Sequence, residues 1–386
     1  MQVSSLVQLG ITGLLAASLP LTMVWMSSDA NKYRKLVWVA VFLTFDLIVF
    51  GGFTRLTDSG LGCPDWPGCY GQANPFLAHE QISAAEALMP SGPVSVLKAW
   101  IEMIHRYLAM GIGVLIMALM AKAWLQWRRT RNSAFAPAMP TVLFLFVCLQ
   151  GAFGAWTVTL KLQPVIVTIH LLLGMGLLAL LAWMGGREDH LVKPTAAVSG
   201  RPGLPALRAL ALVSALLLAV QIALGGWVST NYATLACTDF PLCGGQVVPA
   251  MDFEHGFTLW RELGKTAAGH YLPFSALTAI HWVHRNVAFI VFAVLGWTAW
   301  RAWRHPALHG TARHLAIVLA LQAASGLATV FLSFPLAIAV LHNAGAALLV
   351  LLVTMLNYKI KFQLEIARRT PAKSQVSTQT HARQPS

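Results

Sequence analysis

Residues 165–185 read Val-Ile-Val-Thr-Ile-His-Leu-Leu-Leu-Gly-Met-Gly-Leu-Leu-Ala-Leu-Leu-Ala-Trp-Met-Gly, an apolar run whose single ionisable side chain is His170. An α-helix needs about 20 such residues to cross the hydrocarbon core of a bilayer. A second run, 335–357, carries His342 in Ala-Val-Leu-His-Asn-Ala-Gly, 172 residues after His170 in Thr-Ile-His-Leu-Leu-Leu-Gly. The two runs predict membrane-spanning helices that belong to a repeated unit.

Other motifs recur at similar offsets along the chain. The matches are segment 150–154 with 322–326, His105-Arg106 with His284-Arg285, and Cys63 and Cys69 with Cys237 and Cys243. The cysteine pairs are 174 residues apart. This pattern indicates that one half of the chain is a copy of the other, with two histidines inside the apolar runs of each copy.

The composition restricts the class of protein. Of 386 residues, 57% are hydrophobic and 11% are charged, whereas soluble domains carry roughly 25% charged residues. The net charge is +13, but the basic residues cluster in alternate loops, as expected for cytoplasmic loops of a membrane protein. The charge therefore indicates membrane topology, and no binding to nucleic acid is predicted.

The predicted fold is an all-α polytopic membrane protein. It has an eight-helix core of two pseudo-symmetric four-helix bundles in parallel repeat, plus one extra N-terminal helix. The predicted spans are 5–26, 36–53, 96–124, 140–160, 165–185, 207–228, 273–300, 314–333 and 335–357.

Five regions follow from these spans. They are an extra membrane helix with a basic cytoplasmic loop (1–35), an N-terminal bundle (36–185), a cytoplasmic linker (186–206), a C-terminal bundle (207–357) and a disordered basic cytoplasmic tail (358–386). The long cysteine-bearing loops are placed on the outer face. The run 5–26 is interpreted as an uncleaved helix because no Lys or Arg precedes it, although Ser28-Asp29-Ala30 leaves a signal peptide open.

The outer loops carry four of the five cysteines, as two pairs. On an oxidising face such pairs close small disulfide loops, which predicts the bonds Cys63–Cys69 and Cys237–Cys243. A redox-exchanging role for Cys63 and Cys69 is an alternative, and a metal site is less favoured because no histidine stands beside them at ligand spacing. Cys148 is interpreted as a small buried residue within a helix.

The membrane histidines are the main candidates for a cofactor site. An ionisable side chain inside a membrane is a functional hypothesis by default, and a neutral imidazole can coordinate iron through one ring nitrogen. His105 and His170 come from alternate helices of the first bundle, and His284 and His342 from the equivalent helices of the second. Facing helices of a bundle can hold a cofactor between them, so each pair is predicted to ligate one heme iron axially.

Two arginines follow the histidines directly. Arg106 and Arg285 could bind heme propionates, because a guanidinium pairs with a carboxylate through two hydrogen bonds. The alternative is that they extend toward lipid headgroups.

The two copies of the histidine–arginine motif differ in one ionisable residue. Glu102-Met-Ile-His105-Arg106 in the first half becomes His281-Trp-Val-His284-Arg285 in the second. Residues three apart share a helix face, so Glu102 is expected near a porphyrin, where it could act as a catalytic base. This asymmetry favours chemistry in the first bundle and a permanent heme in the second. An ion pair of Glu102 with Lys98 or Arg106 is the purely structural alternative.

These residues resemble the heme A synthase family over roughly residues 36–357. The resemblance is carried by Gly-Gly-Phe-Thr-Arg-Leu-Thr-Asp-Ser-Gly-Leu-Gly-Cys-Pro-Asp-Trp-Pro-Gly-Cys at 51–69, by Glu102-x-x-His105-Arg106, and by the contexts of the other three histidines. It implies an oxidoreductase that converts the C8 methyl of heme O to the formyl group of heme A, which serves cytochrome oxidase.

The resemblance also implies a division of roles between the halves. Substrate heme O would lie at Glu102, His105 and His170, and heme b at His284 and His342. It further implies a bacterial inner-membrane location, with heme O synthase and an electron donor as partners in addition to lipid, and a homo-oligomer stays possible. Two other functions are weighed against it: a membrane electron-transfer cytochrome with two bis-histidine hemes, and a heme transporter or chaperone.

Overall fold

The computed structural model of the protein describes residues 5–132, 136–192 and 203–369. Apart from isolated β-bridges and short turns in the outer loops, regular structure in these ranges is α-helical. The helices are α1 (Ser5–Met26), α2 (Lys32–Leu56), α3 (His79–Leu88), α4 (Val96–Thr130), α5 (Ala138–Thr159), α6 (Pro164–Val192), α7 (Leu204–Thr230), α8 (Phe253–Gly256), α9 (Phe274–Trp303), α10 (His309–Phe331) and α11 (Leu336–Arg369).

Nine helices in the described ranges are long and apolar enough to cross a membrane. The chain is therefore an all-α, multi-pass membrane protein, as the sequence predicted. The two helices outside this set, α3 and α8, are short and lie in the long loops that follow α2 and α7.

Local sequence explains where several spans begin and end. The side chain of Ser95 accepts a hydrogen bond from the N–H of Lys98 at 3.2 Å and so caps the start of α4. α6 begins at Pro164, which a first helical turn tolerates because its missing N–H has no helical partner there. Arg128 and Arg129 occupy the last turn of α4, where cations interact favourably with the helix dipole.

Some helices continue beyond the predicted spans. α6 runs to Val192 and therefore occupies the start of the predicted linker 186–206, while residues 193–202 lie outside the described part of the chain. α11 runs to Arg369, so helix occupies the first part of the predicted tail from 358. The reason is that neither Gly nor Pro occurs between 358 and 369, and Pro371 is the first such residue. The remainder of the tail, 370–386, is outside the described residues.

Helix contacts follow the repeat. In the first half α2 and α5 each contact both α4 and α6, and in the second half α7 and α10 each contact both α9 and α11. Between the halves, α2 contacts α11 and α6 contacts α7. A Cβ added at Gly52 would lie 3.0 Å from the Asn343 side chain, and one at the equivalent Gly226 would lie 2.9 Å from Leu171. Glycine thus lets the two halves approach closely at corresponding places.

Helix α1 packs against α4 and has no counterpart in the second half. A Cβ added at Gly13 would lie 3.0 Å from Cβ of Met110, and one at Gly111 would lie 3.1 Å from Cβ of Ala16. Near the start of α1, Leu9 is buried in the cluster that includes Cys63 and Cys69. The interpretation of α1 as an uncleaved helix stays a prediction.

Candidate functional site

In the first half, the two histidines lie on α4 and α6, and both rings pack against a glycine of a neighbouring helix. A Cβ added at Gly51 of α2 would lie 3.0 Å from Cε1 of His105, and one at Gly154 of α5 would lie 3.2 Å from Cε1 of His170. Any larger residue at these two glycine positions would displace the histidine rings.

The second half repeats this arrangement. A Cβ added at Gly225 of α7 would lie 3.0 Å from Cε1 of His284, and one at Gly326 of α10 would lie 3.2 Å from Cε1 of His342. All four rings are partly exposed and none lies fully on the outside of the protein. The repeat identified in the sequence therefore extends to the side-chain packing around each histidine.

In each half the two histidines come from helices that share their neighbours: α4 and α6 both pack against α2 and α5, and α9 and α11 both pack against α7 and α10. In the first half, Nδ1 of His105 and Nδ1 of His170 are buried without a hydrogen-bond partner in the described part of the protein. Buried polar atoms in proteins are nearly always paired, so two such atoms fit a site that receives a further group.

The second pair of histidines has polar partners that the first lacks. The Gln221 side-chain amide lies 3.1 Å from Nδ1 of His284, and the Ser325 hydroxyl lies 2.9 Å from Nδ1 of His342. At the corresponding positions of the first half, the sequence has Leu47 and Phe153. A metal-bound histidine usually donates its other ring N–H to an acceptor, which fixes the ring orientation. The Ser325 hydroxyl can accept from Nδ1 of His342 in this way. The Gln221 amide N–H instead faces Nδ1 of His284 as a donor, so Gln221 has to present its Oε1 before His284 can bind a metal through Nε2.

A glutamine accompanies the α6 and α11 histidines in both halves. Gln150 donates to the backbone carbonyl of His170 at 3.1 Å, whereas the Gln322 amide lies 3.2 Å from Nε2 of His342. For iron to bind this Nε2, the Gln322 side chain has to turn away. In the first half the Gln150 amide donates to the backbone carbonyl of His170. The backbone carbonyl of His342 is the corresponding acceptor for the Gln322 amide.

Glu102 is buried beneath the first outer loop. Its side chain accepts a hydrogen bond from the backbone N–H of Cys63 at 2.8 Å and forms an ion pair with Arg106. Of the two ion-pair partners considered from the sequence, it is Arg106 that contacts Glu102, since the amine of Lys98 donates to the carbonyl of Gly92 at 3.4 Å. A carboxylate held in this way is positioned within one helical turn of His105.

His281 takes the place of Glu102 in the second half and also contacts its loop. The backbone N–H of Cys237 donates to Nδ1 of His281 at 3.3 Å. In each half the residue three positions before the α4 or α9 histidine thus accepts the backbone N–H of the first loop cysteine. The first half has a carboxylate there, and the second has an imidazole.

The two arginines mainly hold the outer loops. The Nη1 atom of Arg106 donates to three loop carbonyls, those of Asp65, Pro67 and Gly68. Arg285 donates from Nη2 to the carbonyl of Asp239 at 2.8 Å, while its Nη1 is buried without a partner within the described residues. Binding of heme propionates by these arginines stays a prediction.

Both predicted disulfides, Cys63–Cys69 and Cys237–Cys243, are present. Each loop is also fastened by an aspartate: the Asp65 carboxylate accepts from the backbone N–H groups of Tyr70 and Gly71, both at 2.6 Å. The two loops are therefore closed by covalent and hydrogen bonds next to the first turns of α4 and α9. The interpretation of the fifth cysteine, Cys148, as buried is wrong, because its side chain is exposed on the surface of the membrane helix α5.

Asp239 fastens the second loop in the same way. Its carboxylate accepts from the backbone N–H groups of Gly244 at 2.7 Å and Gly245 at 2.8 Å. These hydrogen bonds, that from Gly245 above all, hold the pKa of Asp239 below its usual range. The loop is therefore held by the ionised carboxylate of Asp239, which accepts both N–H groups.

The sequence reasoning missed Gln221 and Ser325. Both lie in membrane helices at positions where the other half has an apolar residue. A comparison of the halves residue by residue would have marked them, because a polar side chain gained inside a membrane helix usually has a specific partner.

These features define a class: a multi-pass helical membrane protein of two repeated halves, each with a pair of histidines beneath a disulfide-closed loop. The profile of the cytochrome oxidase assembly protein family matches residues 34–354. The chain belongs to this family.

Curated relatives match over most of their length. The chain is 37% identical to the heme A synthase of Shewanella oneidensis over 328 residues, which cover 84% of this chain and 96% of that protein. It is 30% identical to the heme A synthase of Chelativorans sp. over 348 residues, covering 83% and 90%. It is also 30% identical to that of Rhizorhabdus wittichii over 341 residues, covering 84% and 92%.

Proposed function

We propose that this protein is an oxidoreductase that converts heme O to heme A for cytochrome oxidase, by oxidising the C8 methyl group of the porphyrin to a formyl group. The names of the relatives support this reaction. The observation that carries it is the difference at one repeat position, where a buried Glu102 lies beside the first histidine pair and His281 lies beside the second. An electron-transfer cytochrome or a heme carrier gives this difference no purpose.

The first half is the proposed substrate site. His105 and His170 would hold the iron of heme O, and their unpartnered Nδ1 atoms support a site whose ligand arrives and leaves. The glycines against both rings let the rings lie close to the neighbouring helices α2 and α5. A substrate bound here lies under the Cys63–Cys69 loop, which limits its contact with water.

The second half is the proposed site of a resident heme b. The residues fit it, because the Ser325 hydroxyl can accept the Nδ1 proton of His342 and so leave the Nε2 lone pair for iron. Gln221 would do the same for the opposite ring by turning its Oε1 toward the Nδ1 proton of His284, 3.1 Å from where its amide nitrogen now lies. When bound, this heme would supply one-electron transfer. The unpartnered Nη1 of Arg285 supports a role for this arginine in binding a propionate.

Glu102 is proposed as the base. With His105 and His170 on both faces of the iron, no axial position stays open for oxygen, so oxidation is assigned to the porphyrin edge. Methyl to aldehyde requires two two-electron oxidations, with the electrons passing to an external acceptor and the oxygen supplied by water. Glu102 would take the proton of the attacking water. Its contacts with Arg106 and with the N–H of Cys63 hold this carboxylate at a fixed place.

The remaining assignments concern location. We place the protein in the bacterial inner membrane, because the basic loops match cytoplasmic loops. Both disulfide loops would then face the periplasm, where disulfides persist, and the C-terminal tail would be cytoplasmic. Heme O synthase is a proposed partner. The resemblance implies an electron donor as the redox partner, whereas oxidation with water as the oxygen source requires an electron acceptor, and we propose the acceptor. Assembly as a homo-oligomer is a further proposal.

Incubation of the purified protein with heme O and an electron acceptor tests this function. Extraction of the pigments and mass analysis should detect the formyl product, heme A. Glu102→Gln, which keeps the size of the side chain but removes the base, is the matched control and should give little product. An electron-transfer cytochrome would give no formyl product with either protein, and a heme carrier would release heme O unaltered.

A further inference from the structure

A group of side chains joins the two halves at their outer surface. The Arg55 guanidinium donates from Nη2 to the backbone carbonyl of Ser229 at 2.7 Å and from Nη1 to the hydroxyl of Tyr232 at 3.1 Å. It also lies over the Tyr232 ring, 4.2 Å from the centroid. Asp58 accepts from Arg55 at 3.1 Å and from the Tyr232 hydroxyl at 2.8 Å. We call Arg55, Asp58, Ser229 and Tyr232 the inter-half bridge.

The members of the inter-half bridge occupy equivalent positions in the two repeats. Ser229 follows Arg55 by 174 residues, and Tyr232 follows Asp58 by the same interval, which is also the offset of the cysteine pairs. Each bond from Arg55 to Ser229 and from Tyr232 to Asp58 thus joins one repeat position to its own copy. Such self-matched contacts occur where a two-fold axis passes through an interface, so the bridge lies at the pseudo-symmetry axis.

The inter-half bridge lies at the base of both disulfide loops. Asp58 and Tyr232 each follow the end of a membrane helix and have left-handed backbones, with φ of 49° and 55°. A left-handed backbone at a residue other than glycine is sparsely populated and persists when surrounding contacts fix it. The loops that leave from these two residues reach Cys63, whose N–H binds Glu102, and Cys237, whose N–H binds His281.

The inter-half bridge also fastens the helices that pack on two of the histidines. Arg55 lies one turn after Gly51, which contacts the His105 ring, and Ser229 lies one turn after Gly225, which contacts the His284 ring. A shift of α2 relative to α7 at the bridge would therefore move both packing surfaces. No other bond among the described side chains joins these two helices at their outer ends.

We propose that Arg55 is a positioning residue that, with Asp58 and Tyr232, couples the two histidine sites. Through the inter-half bridge, loading of the first site alters the packing around His284, and the state of the second site alters the position of His105 and Glu102. This inference rests on the proposed function, because it takes heme O as the occupant of the first site. Coupling between two binding sites is reciprocal, which makes it measurable at the second site without turnover.

The test uses the purified holoprotein with its resident heme. Heme O is added without an electron acceptor, so that it binds without conversion, and the electron paramagnetic resonance spectrum of the resident ferric heme is recorded before and after. In the wild type we expect the g values of the resident heme to shift on loading. Arg55→Lys keeps the charge but lacks the two-pronged contact, and should reduce this shift at least twofold.

Two further variants separate coupling from simple fastening. Tyr232→Phe keeps the ring under Arg55 but loses the hydroxyl, and should reduce the shift by a smaller amount even if Arg55→Lys does not fold. Glu262→Gln breaks an exposed ion pair with Lys265 within the second outer loop and should leave the shift unchanged. A bridge that only fastens the halves would lower thermal stability in Arg55→Lys and Tyr232→Phe while both keep the full shift.

Two results would overturn the coupling: no shift in the wild type on loading, or a full shift in the bridge variants that fold. A parallel assay of the wild type with acceptor present distinguishes this from failure of the proposed function. If heme A forms and the shift is unaffected by the bridge, only the coupling is wrong. If no heme A forms, the proposed function itself fails.

Discussion

The two halves share a backbone and differ in what surrounds their histidines. In both, the rings pack on glycines at corresponding positions, and a disulfide loop covers the outer end. In the first half Nδ1 of each ring is buried without a partner in the described protein, whereas in the second half Gln221 and Ser325 contact these atoms. Duplication supplied the frame, and a few substitutions inside it separate the two sites.

Three positions account for this separation. They are Glu102 against His281, Leu47 against Gln221, and Phe153 against Ser325. A polar group that fixes a ligand ring favours permanent binding, while a carboxylate beside an otherwise unfixed pair favours chemistry on a ligand that exchanges. Substitutions in the two halves test this difference between the sites, and their expected effects on heme binding and activity differ in size.

The largest effect is expected from loss of a ligand in the second half. His342→Ala should abolish the absorption bands of the resident heme, because one imidazole alone holds a heme far more weakly than two on opposite faces. The visible spectrum of the purified protein measures this directly. His170→Ala, at the copied position of the first half, is the control and should keep the resident spectrum. Equal loss of bound heme in both variants would remove the distinction between the sites.

The next effect concerns the carboxylate. Glu102→Gln should reduce heme A formation by roughly 10²- to 10⁴-fold, the usual contribution of a general base, with the resident heme still bound. Product per resident heme, determined by extraction and mass analysis, is the measurement. His281→Gln is the matched variant in the second half and should keep most activity. Full activity of Glu102→Gln would restrict this residue to holding the N–H of Cys63.

Much of the fold was predictable because it follows from length and hydropathy. The nine apolar runs correspond to the nine candidate spans among the described residues, and spacing alone marked the two cysteine pairs that form disulfides. Helix ends were less predictable, since α11 continues past residue 358 on a polar, amphipathic sequence that hydropathy does not mark. Hydropathy locates the segment of a helix that lies in lipid. It does not locate the residue at which the helix ends in water.

The site was predictable in its residue types and less so in its contacts. Repetition alone identified the four histidines and the exchange of Glu102 for His281. The role of Arg106 as a clamp on three loop carbonyls was not predicted, because those carbonyls come close only when the Cys63–Cys69 loop folds back over α4. Backbone acceptors carry no sequence signal, so contacts of this kind require the structure.

A smaller effect is expected from the hydroxyl in the second half. Ser325→Ala removes the partner of Nδ1 of His342 and should weaken binding of the resident heme by about 10- to 100-fold, as is typical for groups that orient a metal ligand. Transfer of heme to excess apomyoglobin, followed by absorbance, measures this change. Phe153→Ser is the converse variant and should slow the release of heme O from the first half. If both variants release heme as the wild type does, the ring partners do not separate the sites.

The smallest effect concerns the second loop and pH. The folded-state pKa of Asp239 is lowered, chiefly by the N–H of Gly245 and then by that of Gly244, so this carboxylate stabilises the loop above the unfolded value of about 3.9. The contribution is lost as the pH falls through the lower folded-state pKa.

Hydrogen-exchange protection of the Gly244 and Gly245 amides should therefore decrease in the wild type as the pH falls through this range. Asp239→Asn should give weaker protection that does not depend on pH there, and Glu80→Gln, in the first loop, should match the wild type. The first loop is fastened by its own aspartate, Asp65, so acid alone does not tell whether the two loops respond together. Asp239→Asn should leave the protection of the Tyr70 and Gly71 amides as in the wild type. Loss of that protection in this variant would show that the two loops respond as one unit.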